Sequence, residues 1–256
     1  NHFTANLPTG EVLVSGGHGG GGVLASTELY DPDTDTFTAA ATLNQARQRH
    51  SAFNLPNGLV LISGGNTNTS GDWDVQTNFL SSAELYDRKT NSLTSTGSKN
   101  NATTGGSPIL LWTGKFLVAG GGTNKAELYN PAMPGTIETW VATAGTTPNL
   151  PAARTGHQQN LLDDGRVLLS GGLPDSTGTS TPLKTTVLYD YLTDSFTSTG
   201  DMTKERQQHR TALLYTGKVL VTGGRPLAAT DVINSLNSAE LFDPAAGTFS
   251  ATTGPM

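Results

Sequence analysis

No cysteine occurs anywhere in the 256 residues. That absence removes a disulfide scaffold, a thiolate metal site and a cysteine nucleophile. Charge is scarce too, with Asp, Glu, Lys and Arg making up 14% of the chain, against about 25% in ordinary globular domains. The 15 Lys and Arg residues are scattered and the formal net charge is −6, so there is no basic footprint for nucleic acid or an anionic lipid surface. Apolar runs stay short, as in Val12-Leu13-Val14 and Val167-Leu168-Leu169, far below the roughly 20 residues that span a bilayer, so membrane insertion is not expected. The sequence opens without an initiator Met or an apolar signal segment and reads as a mature or trimmed segment. Few charges, no cysteine and plentiful Ser, Thr, Asn and Gly point to an extracytoplasmic protein, secreted or at the cell surface.

What the chain does have is glycine, 31 residues of it. No G-x-y period underlies them, and Val, Leu and Ile recur throughout, so neither collagen nor disorder fits. The glycines instead mark a repeat. Leu-Pro-Thr-Gly-Glu-Val-Leu-Val-Ser-Gly-Gly at 7–17 returns in near copies at 55–65, 112–121, 163–172 and 215–224. Turn glycines Gly10, Gly58, Gly114, Gly165 and Gly217 are spaced by 48, 56, 51 and 52 residues. A second signature follows in each repeat: Glu28-Leu29-Tyr30-Asp31, Glu84-Leu85-Tyr86-Asp87, Glu127-Leu128-Tyr129-Asn130, Val187-Leu188-Tyr189-Asp190 and Glu240-Leu241-Phe242-Asp243. An apolar residue stands seven positions after the aromatic in four repeats, as Phe37, Leu93, Phe196 and Phe249. The third repeat carries an eight-residue insertion within 130–164, with Trp140 expected in the outer aromatic place.

Each repeat reads as four strands: an alternating segment, a tight turn, a continuous apolar run ended by Gly-Gly, the Glu-Leu-Tyr strand, and an outer strand. Four antiparallel strands cannot bury both faces alone, so neighbouring repeats must stack. The paired glycines, the strand-three aromatic and the second aromatic seven residues on resemble the kelch repeat across the whole chain. The resemblance implies an all-β fold, a five-bladed β-propeller of four-stranded antiparallel kelch-type blades. It is expected to form a single domain over 1–256, with blades near 1–44, 45–99, 100–150, 151–202 and 203–256. Extending the repeat spacing past Phe242 brings the ends nearly together, the alternative being a piece of a longer array.

Candidate functional residues follow from the repeat. Histidine stands eight residues before the turn glycine at His2, His50, His157 and His209, with Gly106 in the third repeat. Three residues earlier come Arg47, Arg154 and Arg206, with Thr103 in the third. One reading makes Arg47, His50, Arg154, His157, Arg206 and His209 a ligand-binding ring; the other has them bond loop carbonyls and fix the chain as it enters the inner strand. Regular recurrence favours the second. Histidines spread over a ring are too far apart for one ion, so no metal is expected. Pairing of the arginines with Glu28, Glu84, Glu127 and Glu240 is not claimed, because Val187 accompanies Arg154 while Glu127 accompanies Thr103. Asp31-x-Asp33-x-Asp35 mimics a calcium loop but lacks its glycine and terminal glutamate, and turn-capping carboxylates explain it better.

Strand bookkeeping puts the Arg-x-x-His segment and the loop after Gly-Gly at the same end. From the first glycine of the pair to the aromatic the lengths are 14, 22, 9, 18 and 19 residues. Variable loops on a repeated scaffold read as a binding face. Its candidate residues are Asp72, Trp73, Asp74 and Phe79 in the longest loop, 66–82, together with Arg225. Five-bladed glycosidases resemble the architecture and need paired carboxylates facing the cavity. The inner strands expected at His2–Leu7, His50–Leu55, Gly106–Leu111, His157–Leu162 and His209–Leu214 contain neither Asp nor Glu. Kelch-type propellers include a copper-radical oxidase whose cofactor joins a cysteine to a tyrosine, and this chain has no cysteine. The leading expectation is therefore a non-catalytic module without a cofactor, binding a protein or glycan through the long-loop face. The alternatives are a glycan-active hydrolase using Asp72, Asp74, Asp175 or Asp231, and a structural subunit of a surface assembly.

Overall fold

A computed structural model describes residues 2–68, 78–103, 108–131, 138–175, 180–226 and 235–253. No described residue is helical, and so no helix among them is long and apolar enough to cross a membrane. The described strands form five four-stranded antiparallel sheets and one two-stranded ribbon, His18–Gly19 with Gly22–Val23. Each four-stranded sheet is built from strands of one repeat, consecutive except in the first, where the ribbon intervenes between its second and third strands. The first runs from Phe3–Asn6 to Thr36–Ala39, the second from Ser51–Asn54 to Ser92–Thr96, and the third from Ile109–Leu110 to Thr139–Ala142. The fourth runs from Gln158–Leu161 to Ser195–Ser198 and the fifth from Arg210–Leu213 to Thr248–Ala251.

The chain divides into two compact units, one of Asn1–Asp72, Gln76–Gly105 and Tyr129–Val141, the other of Trp73–Val75, Gly106–Leu128 and Ala142–Met256. In the second unit the fourth sheet shows why the apolar run belongs to strand two. Val167, Leu168 and Leu169 are all fully buried. Successive side chains of a strand point to opposite faces. Val167 and Leu169 therefore pack with Leu117 and Leu150 on one side, while Leu168 packs with Met202, Val219 and Phe242 on the other. Strand two is apolar throughout because both its faces are interior. In the first unit Leu13, Leu29 and Leu43 meet Val60, Ile62 and Tyr86 in the same way.

The Gly-Gly pair is where backbones meet. All five first glycines and all five second glycines have φ between 52° and 112°, a region open to glycine without steric cost. A Cβ on Gly171 would lie 2.3 Å from the Arg206 carbonyl oxygen, and one on Gly172 would lie 2.9 Å from the His157 Cβ. In four of the five pairs the second glycine donates its N–H to the next repeat: Gly17 to Arg47 O (2.9 Å), Gly65 to Thr103 O (3.0 Å), Gly121 to Arg154 O (2.8 Å) and Gly172 to Arg206 O (3.0 Å). These are the stitches between neighbouring sheets.

At the far end of the strands, the hairpin between strands three and four follows its own rule. Asp35, Asn91 and Asp194 sit at φ 54°, 46° and 51°, and Gly247 takes that place at 65° in the fifth sheet. The hydroxyls of Tyr30, Tyr86 and Tyr189 donate to Asp35 (3.0 Å), Asn91 (3.1 Å) and Asp194 (2.7 Å). In the fifth sheet, where the turn residue is glycine, the aromatic is Phe242 and has no hydroxyl to place. Asp31, Asp87, Asp190 and Asp243 accept the N–H two residues on, so Asp31 caps its turn while Asp35 holds the Tyr30 hydroxyl. Trp140 packs on Tyr129 with ring centroids 4.8 Å apart, as Phe196 does on Tyr189 at 4.9 Å.

Candidate functional site

The long-loop end is pinned by the arginines. Arg47, Arg154 and Arg206 are 0% exposed. Each donates Nη1 to the first glycine carbonyl of its own sheet: Gly64 (2.8 Å), Gly171 (3.2 Å) and Gly223 (2.7 Å). A second bond from Nη1 goes to Ser82 O, Thr185 O or Ser238 O. Because the arginine carbonyl takes the stitch from the preceding sheet, this one residue ties two sheets together.

The pairing with glutamate that the sequence left unclaimed does form. Arg47 Nη2 meets Glu84 Oε1 at 2.9 Å, and Arg206 Nη2 meets Glu240 Oε1 at 2.7 Å. The Glu84 carboxylate also accepts the backbone N–H groups of Asn44 and Gln45 and the Asn44 amide, and Glu240 accepts Thr203 N–H at 2.6 Å. Arg154, whose sheet has Val187 in the glutamate position, donates Nη2 to Thr185 Oγ1 instead. Burial alone lowers its pKa to about 10. Burial also lowers Arg47, against the opposing pull of Glu84.

The histidines reach into the neighbouring sheet. His50 Nε2 lies 2.8 Å from Ser15 Oγ, and His209 Nε2 lies 2.8 Å from Ser170 Oγ. These serines immediately precede Gly-Gly. Ala119 stands in that place before Gly120-Gly121, and there His157 Nε2 lies 3.2 Å from the Gln159 amide nitrogen. All three rings are buried, and burial first, then the adjacent arginine, pushes each pKa down to about 3. They are neutral at physiological pH, and Ser15 and Ser170 are too deeply buried to attack a substrate. A charged ring able to hold anions is not what these six side chains form. Their contacts are those of the scaffold.

The third repeat solves the same problem differently. Thr103 replaces arginine, and four residues earlier Lys99 replaces the buried Leu43, Leu150 and Met202 of the other repeats. Lys99 Nζ donates to Thr103 Oγ1 and lies 3.4 Å from Thr103 O. A Cβ on Gly64 would meet that ammonium, as one on Gly16, Gly120 or Gly171 would meet the histidine Cε1 of the following repeat. Aligning the repeats four positions ahead of the arginine was the signal that could have found it.

Sequence reasoning also missed the third residue of Arg-x-x-His. Arg49 and Gln208 are held at φ 53°, where the fourth repeat has Gly156 at 63°. Non-glycine residues there are strained, and such strain collects at functional sites. Gln208 is exposed, and its N–H donates to Gly156 O at 2.8 Å. Arg225 is half-buried and exchanges both backbone bonds with Gln207. Phe79 is half-buried and bridges Asn66. Asp175 accepts the Ser180 hydroxyl. Asp72, Trp73, Asp74, Gly106 and Asp231 lie outside the described residues. Among the described residues no group of three His, Asp or Glu could hold a metal ion.

The Kelch motif is matched over residues 1–44. No curated protein matches the chain in sequence. Among solved structures it is similar to a fungal alcohol oxidase of the AA5 family in complex with copper, at a TM-score of 0.74 and 19% identity. That likeness covers 100% of this chain and 53% of the oxidase, so the chain spans about half of the oxidase's length. It is also similar to YjhT, a kelch-type propeller, at a TM-score of 0.71 and 14% identity over 98% of this chain and 83% of that one. At these identities the likeness is one of fold, and the four-stranded sheets are propeller-like blades of kelch type. Copper does not fit the residues present. His50, His157 and His209 are turned one by one into three different sheet interfaces, and there is no cysteine.

Proposed function

We propose that the chain is a five-bladed, non-catalytic kelch-type module that binds a protein or glycan through the end bearing the strand two to three loops. We place it outside the cytoplasm, in keeping with its low charge and lack of cysteine. The observation that carries the reading is the strained rim. In the first unit Arg49 and in the second Gln208 hold left-handed backbone conformations, anchored from beneath by the buried arginines and histidines. Strain of about 1 kcal/mol or more per residue persists where the surroundings over-determine it. At Gln208, whose side chain is exposed, presentation to a partner accounts for it better than packing does. Phe79 in the first unit and Arg225 in the second are half-buried in the loops that follow Gly-Gly, and Asp72, Trp73 and Asp74 are assigned to the same role from the sequence alone.

A panel of immobilised polysaccharides and extracellular proteins, run beside turnover assays on glycosides and on primary alcohols with added copper, tests this. The expected result is capture without turnover, lost when 68–77 is replaced by a short Gly-Ser linker that leaves the melting temperature within a few degrees. Turnover of any glycoside, or copper-dependent oxidation of an alcohol, overturns the non-catalytic reading. Capture by the linker variant as strong as by the intact chain overturns the assignment to this end.

A further inference from the structure

The first unit carries a carboxylate whose counterparts are all buried. Glu84, Glu127 and Glu240 are 1–2% exposed, whereas Glu28 in the first repeat is exposed and has no hydrogen bond or ion pair among the described residues. It stands on a face that is itself open. The register aligns Thr4, Val14, Glu28 and Ala39 across the four strands, and beside them Asn6, Val12, Tyr30 and Phe37. Val12, Val14 and Tyr30 are only half-buried, and Phe37 is 61% exposed. The opposite face, with Leu13 and Leu29, is interior. In the second and fourth sheets the matching positions are covered: Val60, Ile62, Tyr86, Val167, Leu169 and Tyr189 are 0–1% exposed. Among the eight residues of the open face Glu28 is the only acid and there is no base.

The other repeats show what covers such a face. Leu43, Leu150 and Met202 stand four residues ahead of Arg47, Arg154 and Arg206. Leu150 packs with Val167, Leu169 and Tyr189, and Met202 with Val219, Val221 and Phe242, the counterparts of Val12, Val14 and Tyr30. Four residues on, the Arg206 guanidinium meets Glu240 and the Gly223 and Ser238 carbonyls, and Thr203 N–H meets the second oxygen of that carboxylate. Arg47 repeats the pattern with Glu84, Gly64 O and Ser82 O. In the first repeat Glu28, Gly16 O and Ser26 O occupy the same three places, and no described arginine joins the carboxylate.

We propose that this face of the first sheet docks an extended segment of a partner protein in which Leu or Met stands four residues ahead of an arginine. The apolar side chain covers Val12, Val14 and Tyr30. The arginine takes Glu28 together with the Gly16 and Ser26 carbonyls, which a planar fork of five donors can serve at once and a lysine ammonium serves less well. A second folded copy of this chain has no such segment to give, because Arg47, Arg154 and Arg206 are 0% exposed in their own seams. The site is built on strands of the first sheet, so it stands whether or not loop 66–82 captures a ligand.

Fluorescence anisotropy of a labelled peptide copying residues 198–207, Ser-Thr-Gly-Asp-Met-Thr-Lys-Glu-Arg-Gln, titrated with the intact chain, is the test. Saturable binding that weakens with added salt is expected. Glu28→Gln should keep the melting temperature, its side chain being exposed, and should weaken binding about tenfold through loss of a charge-assisted bond. Peptides with citrulline in place of Arg206, or with Asp in place of Met202, should bind as weakly. Replacement of 68–77 should leave peptide binding intact. No saturable binding up to about 1 mM, or undiminished binding of the citrulline peptide or by Glu28→Gln, overturns the proposal. Loss of binding on replacing 68–77 also overturns it and moves the peptide to the long loops. Self-association of the intact chain that Glu28→Gln abolishes, read by sedimentation velocity, overturns it in favour of a second copy.

Discussion

Acid should unfold this protein through three histidines. His50, His157 and His209 have folded pKa values near 3, against about 6.5 in an unfolded chain. Between those values the unfolded state binds protons that the folded state refuses, so stability is complete above pH 6.5 and falls as pH falls. For one such histidine the loss from pH 7.5 to pH 5 is about 2 kcal/mol, and for three about 6 kcal/mol, from the difference in proton binding integrated over that range. Domains of this kind are stable by about 5–15 kcal/mol, so the effect is large enough to bring the fold near its unfolding midpoint. Urea denaturation at pH 7.5, 6 and 5 measures it. The expected slope between pH 6 and 5 is about 4 kcal/mol per pH unit. His157→Gln should reduce that slope by about a third, whatever it does to stability at pH 7.5. A stability unchanged between pH 7.5 and 5, or a variant slope equal to that of the wild type, would refute the burial of neutral imidazoles.

Two pairs of substitutions separate scaffold roles that look alike in the sequence. Arg206→Met strands the buried Glu240 carboxylate and should cost about 3–5 kcal/mol, whereas Arg154→Met, with Val187 opposite, should cost about 1–3 kcal/mol for lost neutral acceptors; parallel chemical denaturation of the two variants ranks them. Ser170→Ala leaves His209 Nε2 unsatisfied and should cost about 1–3 kcal/mol. Ser63→Ala should be neutral or stabilising, since Ser63 Oγ is buried without a partner among the described residues and its repeat neighbour has Gly106 in place of histidine; a cost above 1 kcal/mol would contradict that.

The strands and their boundaries were readable because their causes are local. Gly-Gly at positive φ, the turn glycines and the alternation of strand one each leave a mark in composition at a fixed spacing. The aromatic pair was equally plain, down to Trp140 beside Tyr129. Side-chain partners were harder. Arg47–Glu84 and Arg206–Glu240 were passed over because covariation across the repeats fails, and it fails for physical reasons. Arg154 finds neutral oxygens at Thr185, and in the third repeat the cation has moved from the arginine position to Lys99. A pair that can be satisfied in three ways leaves no simple correlation in five repeats.

The third repeat shows how far a scaffold position can drift while its duty is kept. The first glycine of each pair needs something packed against its α-carbon from the following repeat. In three cases this is the Cε1 edge of a neutral histidine; at Gly64 it is the Lys99 ammonium. Losing histidine at 106 and arginine at 103 while gaining lysine at 99 keeps the seam filled, and it leaves Ser63 as the one orphan among the described serines that precede Gly-Gly. That orphan is what a replacement in stages would leave behind, since lysine fills the space of the imidazole but not its hydrogen bond. Where such an exchange can be traced, the residue served a packing need.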